Sequence, residues 1–142
     1  MPLIITDLQK VATPDFESIQ TLLEPVLVEL KIVDCDIEVE LLNDQQITKL
    51  NEKFFSRSHP TNVISFPLEP EIGHLGAVVV SVETAWNETK MLGYSLEEGI
   101  VYYLIHGILH LLGFEHVGVD LEETVKMEKR QYELFDLALS VG

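Results

Sequence analysis

The stretch from Ser95 to His116 constrains this chain more than any other, because it specifies a buried helix that carries imidazole rings. It opens with Ser95-Leu-Glu-Glu98, in which the serine hydroxyl and the third-position carboxylate can satisfy orphan backbone N–H groups reciprocally. An apolar run from Ile100 to Leu112 follows, interrupted by His106, Gly107 and His110. Gly113 supplies the left-handed conformation that commonly ends a helix, so that His116 can return toward the helix end. A helix that is apolar nearly all round is a buried one. Residues 96–112 are therefore expected to form the central helix, whose burial would hold the two rings in place.

Residues four apart on a helix lie about 5–6 Å from each other on one face, close enough for two rings to reach a single cation. One histidine on an apolar face is more often a hydrogen-bonded core residue, and a pair is only suggestive. Three at His-x3-His-x5-His with an intervening glycine point to a metal site held by His106, His110 and His116. Three protein ligands and one open tetrahedral position describe a catalytic rather than a structural zinc site. The spacing matches the metzincin pattern except at Gly107, where a metalloprotease needs a glutamate as general base. Glycine has no side chain to do that work, so a protease of that kind is disfavoured. A metal can still bring the pKa of its water to about 7 without an adjacent base.

The segment His106-Gly-Ile-Leu-His110-Leu-Leu-Gly113-Phe-Glu-His116 resembles the signature of the YbeY-type bacterial rRNA maturation factors. A second block, Leu50-Asn51 followed by Pro60-Thr61-Asn62-Val63-Ile64-Ser65-Phe66-Pro67, resembles that family's other signature, in the right order and over essentially the whole chain. The resemblance implies a metal-dependent, single-strand-specific endoribonuclease acting in rRNA maturation and ribosome quality control. It implies that His106, His110 and His116 are the catalytic and metal-binding residues for one divalent cation, with zinc the expected ion. Single-stranded rRNA regions and ribosomal particles are the implied partners, with no DNA and no membrane. Arg57, Thr61, Asn62 and Ser65 are the implied substrate contacts. Two positions depart from the pattern: Phe55 stands where the family usually has arginine, with Arg57 two residues on, and Ala77 stands where it usually has aspartate.

Composition sets bounds on this reading. The 142 residues, 46% of them hydrophobic, suit one compact domain over 1–142. The beginning of the chain lacks the basic region and apolar core of a secretory signal, and no apolar run reaches the ~18–20 residues needed to span a membrane. A single cysteine, Cys35, fits a reducing cytoplasm, the expected location. Acidic residues number 24 against 9 lysines and arginines, a formal net charge of −15. Nucleic-acid binding normally uses a basic surface. Any RNA contact must then be local, and Lys49, Lys53 and Arg57 form the densest cluster, although such a run is more commonly a solvated helix face.

Periodicity predicts strands over Pro2–Asp7, Ile37–Leu42, Asn62–Phe66 and Leu75–Ser81, the last apolar enough to be central. Helices are predicted from Asp15, from Asp44 to about Phe55, over Val82–Leu92, over 96–112, and from Asp120, with Pro25 expected to kink the first. In the last helix Leu121, Val125, Tyr132, Phe135 and Leu139 are expected to form the inward face. Together these predict an α+β fold, a four-stranded mixed sheet packed with about five helices, its metal site at the end of the central helix. Two other functional classes fit the same residues. One is a metal-dependent hydrolase of another substrate, such as a peptidase with a different base, and the other a non-catalytic ribosome-associated factor with a structural metal.

Overall fold

The computed structural model describes residues 3–55, 63–67, 73–113 and 120–140. Strand β1 (Leu3–Asp7) leads to helix α1 (Phe16–Glu29), strand β2 (Asp36–Leu42), helix α2 (Asp44–Phe55), strand β3 (Val63–Pro67) and strand β4 (His74–Ser81). Helix α3 (Val82–Thr89), a short 3-10 turn (Lys90–Leu92), helix α4 (Leu96–Leu111) and helix α5 (Leu121–Leu139) complete the order.

The expected sheet needs a correction. Its body is a three-stranded parallel unit, β1-β2-β4, in which Leu3 aligns with Ile37 and Val39 with Val78. The unit is built by crossovers of the β-α-β kind, which is how parallel neighbours are connected. Strand β3 joins only at the edge, antiparallel to β4, with Val63 opposite Val80. The segregated α+β arrangement with a mixed sheet is thereby replaced by a parallel core with five helices, because α1 carries the chain back to begin β2 in the same direction as β1. Strand order could not be read from the sequence, since hydrophobic alternation sets the face of a strand and not its neighbour.

The two faces of the sheet are covered unequally. Ile37, Val39, Leu41, Val78 and Val80 bury their side chains in the main core with α1, α4 and α5. On the other face Leu42, Ile47 and Val79 form a smaller cluster under α2, while Glu38 stays in solvent. That division explains the alternation of β2 and the nearly continuous apolar character of β4.

Local signals account for the helix ends. Asp15 caps α1 by accepting from the Glu17 and Ser18 amides, and α1 runs on through Pro25. Asn43 and Gln46 close a reciprocal cap ahead of α2, each bond 2.8 Å. Asp44 ties three elements together, accepting from the hydroxyls of Ser81 and Thr84. The helix expected over Val82–Leu92 tightens into the 3-10 turn after Thr89 and stops at Gly93, whose φ of 86° is left-handed. Gly99 lets α4 approach α3 closely, since a Cβ there would sit 2.3 Å from the Thr89 hydroxyl oxygen.

The inward face of α5 also differs from expectation. Met127, Gln131, Leu134, Phe135 and Ala138 are buried, whereas Leu121, Val125 and Tyr132 are exposed. Two apolar stripes share this helix at the same period, and the docking of α5 on α1 and α4 selects the second. Among the described residues no helix is long and apolar enough to cross a membrane.

Candidate metal centre

Helix α4 begins at the capping box read from the sequence, with Ser95 N–H donating to Glu98 Oε1 at 2.8 Å and Glu98 N–H donating to Ser95 Oγ at 3.1 Å. Glu97 extends the anchor outward by accepting from the Asp15 amide at the head of α1. Ile100, Leu104, Ile105, Ile108 and Leu109 are completely buried, so α4 is held on nearly every side. Leu112 ends it and Gly113 follows at a φ of 100°.

Held in this way, His106 and His110 present their rings on one face, centroids 4.7 Å apart and planes at 81°. Their Nε2 atoms lie 3.1 Å from each other. His106 is oriented from outside the helix: its Nδ1 is 2.8 Å from the Gln131 side-chain oxygen of α5. The amide of Gln131 is itself held, because its Nε2 faces the Tyr102 carbonyl oxygen at 3.4 Å. With its NH₂ group toward a carbonyl, its oxygen must meet His106, and His106 must carry its proton on Nδ1. The lone pair of His106 Nε2 is therefore directed at His110.

The same geometry fits a shared cation. Two nitrogens each about 2.0–2.1 Å from a tetrahedral zinc stand roughly 3.3 Å apart, so the 3.1 Å spacing needs an adjustment of only a few tenths of an ångström. An amide oxygen on the distal N–H is the outer-shell contact that metal-binding histidines characteristically have. Among the described residues no three His, Cys, Asp or Glu side chains form a metal-binding group. The third expected ligand, His116, lies outside the described residues.

The remaining expected site residues divide the same way. Arg57, Thr61 and Asn62 fall outside the described residues, and so does His59. Ser65 is placed on β3, in register with Val78 of β4. His74 begins β4 beside the Asp36 carboxylate at 3.8 Å, both groups well exposed. Met127 packs as an ordinary core residue on α5.

Gln131 is one of two residues beside the candidate site that sequence reasoning missed. A signal was present: it occupies the period of Met127, Leu134, Phe135 and Ala138 as the one amide in an apolar stripe. Tyr102 is the other. Burial pushes its phenol from the ordinary 10.0 up to about 12, with the neighbouring Tyr132 adding to the effect through charge and a hydrogen bond. Its ring packs edge-on to Phe135 at 5.1 Å, fastening α4 to α5 just before His106.

A parallel sheet backed by a buried helix that carries paired imidazoles, the first of them oriented by an amide, is the class of fold and candidate site that these residues define. The model of the family described as Endoribonuclease YbeY matches residues 5–138. The chain is similar to the Endoribonuclease YbeY of Syntrophus aciditrophicus (strain SB), 32% identical over 148 residues, which cover 96% of this chain and 89% of that protein. It is also similar to that of Aquifex aeolicus (strain VF5), 36% identical over 125 residues, covering 86% and 83% respectively. The chain belongs to the YbeY endoribonuclease family. In fold it is similar to the solution structure of TM1509 from Thermotoga maritima, with a TM-score of 0.64, 24% identity, and coverage of 96% of this chain and 90% of that one.

Proposed function

We propose that this chain is a metal-dependent, single-strand-specific endoribonuclease of rRNA maturation and ribosome quality control, working in the cytoplasm on rRNA and ribosomal particles. The observation that carries the reading is the Nε2 pair of His106 and His110, 3.1 Å apart on a buried helix in a chain of this family. His106 and His110 would hold a divalent cation, zinc by the chemistry of nitrogen donors, together with His116. Such a cation supplies Lewis acidity, making a water nucleophilic near neutral pH and offsetting charge that develops on phosphodiester oxygens.

The protein's own residues supply position. Gln131 fixes the His106 tautomer so that Nε2 is an acceptor toward the centre. Burial of Ile105, Ile108 and Leu109 keeps the two rings from swinging apart. Gly107 between them is buried and has no side chain, so the general acid and base must come from elsewhere. Arg57, Thr61, Asn62 and Ser65 would contact the strand around the scissile phosphate. With a net charge of −15, recognition must rest on few contacts, which suits a single strand better than the long phosphate rows of a duplex.

Elemental analysis of freshly purified protein, beside His110→Ala prepared identically, tests the reading, together with cleavage of single-stranded and duplex RNA. About one equivalent of metal in the native chain, little in the variant, and a loss of single-strand cleavage of at least ~100-fold are expected. A native chain that takes up no zinc on titration, or a His110→Ala variant that still cleaves at the native rate, would overturn it.

A further inference from the structure

A pocket of about 310 Å³ lies between α4 and α5 next to His106, and nothing in the reading above uses it. It is lined by Tyr102, Tyr103 and His106 from α4 and by Met127, Glu128 and Tyr132 from α5, with Gln131 alongside. Its size is at the lower end of the roughly 300–1,000 Å³ of small-ligand sites, enough for one flat ring system. We propose that it is a nucleobase subsite, taking an unpaired guanine from the RNA strand whose phosphate is at the histidine centre. The inference rests on the RNA-cleaving reading above and names a substrate contact that reading leaves open.

The chemistry of the lining selects the ligand. Tyr102 and Tyr103 give the pocket an aromatic wall, and Tyr132 offers an exposed ring on which a base can stack. Tyr132 leaves 60% of its surface in solvent although α5 has an apolar stripe available for packing, so its ring is not there to fill the core. Among the described residues no lysine or arginine lines the pocket, and Glu128 contributes a negative charge, which favours a neutral group rich in N–H donors. The other polar groups are engaged: Gln131 with His106 and the Tyr102 carbonyl, and the Tyr102 side chain with Tyr132. Among the described residues Glu128 has no hydrogen-bond or ion-pair partner, and an ionised carboxylate only accepts. Guanine alone among the four bases offers two adjacent donors, N1–H and N2–H₂, to its two oxygens. Uracil sets carbonyl oxygens on both sides of its single N–H, which a carboxylate repels. A base can enter such a pocket only when splayed out of a helix, so the subsite would also favour single strands over duplex.

The test uses the full chain and fluorescence anisotropy with short single-stranded RNAs whose phosphorothioate linkages resist cleavage. One sequence contains only adenine and uracil, and the other carries a single guanine. The native protein is expected to bind the guanine strand more tightly. Tyr132→Ala, safe for folding because the residue is largely exposed, should weaken that strand roughly 5- to 150-fold, the range of one stacked base. Tyr132→Phe keeps the ring and should recover most of the affinity, while Glu128→Gln should erase the guanine preference and spare the adenine–uracil strand. A Tyr132→Ala variant with native near-UV circular dichroism and undiminished affinity would overturn the subsite. Equal native affinity for the two strands would overturn the choice of guanine. A native protein that takes up zinc but binds neither strand would remove the RNA reading itself.

Discussion

Helices α4 and α5 begin alike and then diverge. Each starts at a short polar cap followed by two glutamates in its first turn, Ser95 with Glu97 and Glu98 in one case and Asp120 with Glu122 and Glu123 in the other. Beyond the caps, α4 buries nine of its 16 residues and α5 only five of 19. The more deeply buried helix carries the imidazoles, and the half-exposed helix orients one of them through Gln131 and helps line the adjoining pocket. Burial of Ile105, Ile108 and Leu109 fixes the stretch of α4 that carries the two half-buried rings. On α5 the buried Gln131 lies one residue from the exposed Tyr132, so a single turn offers both a fixed amide and a ring that meets solvent.

The strongest way to break this comparison is to truncate one β-branched side chain on each helix to alanine. Ile105→Ala on α4 should lower stability by about 2–5 kcal/mol, as other deletions in tight cores do. Val125→Ala on exposed α5 should stay within about 0.5 kcal/mol of native. Urea unfolding of both variants measures the difference, and similar losses would show that α5 is as deeply structural as α4.

A second test asks how closely α4 is fitted. In Gly99→Ala the new methyl meets the Thr89 hydroxyl, which already donates to the Ala85 carbonyl oxygen at 2.7 Å. Neither can move freely, and a cost of about 1–3 kcal/mol is expected. Adding Thr89→Ala should recover part of it by removing the nearer atom; no recovery would place the strain in the helix backbones.

Gln131→Leu probes the bridge from α5 to the His106 ring. It keeps the shape of the side chain but frees the His106 ring to change tautomer. A 10- to 100-fold loss of zinc affinity is expected, the usual effect of losing an outer-shell contact, read by competition with a chelator. Unchanged affinity would mean that burial of α4 alone orients the ring.

The smallest effect expected is in the alkaline range. The Tyr102 phenol is raised to about 12 in the folded chain against 10.0 for the free group, so the unfolded chain loses its proton first. Stability from this residue is then complete below pH 10 and is lost as pH climbs toward 12. Tyr102→Phe should flatten that part of the stability–pH curve, measured by thermal unfolding between pH 9 and pH 12. An unaltered slope would assign the alkaline loss to other groups.

Legibility followed the range of the interactions involved. Helix α4 could be read almost residue for residue, since its cap, its apolar run and its terminal glycine are signals within a few positions of each other. The face of α5 could not, because Leu121, Val125 and Tyr132 obey the same period as Met127, Leu134 and Phe135. Gln131 was hidden for a related reason: its role depends on a ring 25 residues away in the chain. The four strands were recognisable as segments, yet the parallel β1-β2-β4 core with β3 at its edge emerged only from the assembled sheet.

By itself the sequence determined the helix starts, the periodicities and the His106–His110 pair, all of which follow from backbone geometry over one or two turns. Tertiary structure decided which stripe of α5 turns inward, which amide meets His106, and which strands become neighbours. Those outcomes depend on the free energy of burying one face instead of another, a quantity set by distant partners and carried by no short segment of the chain.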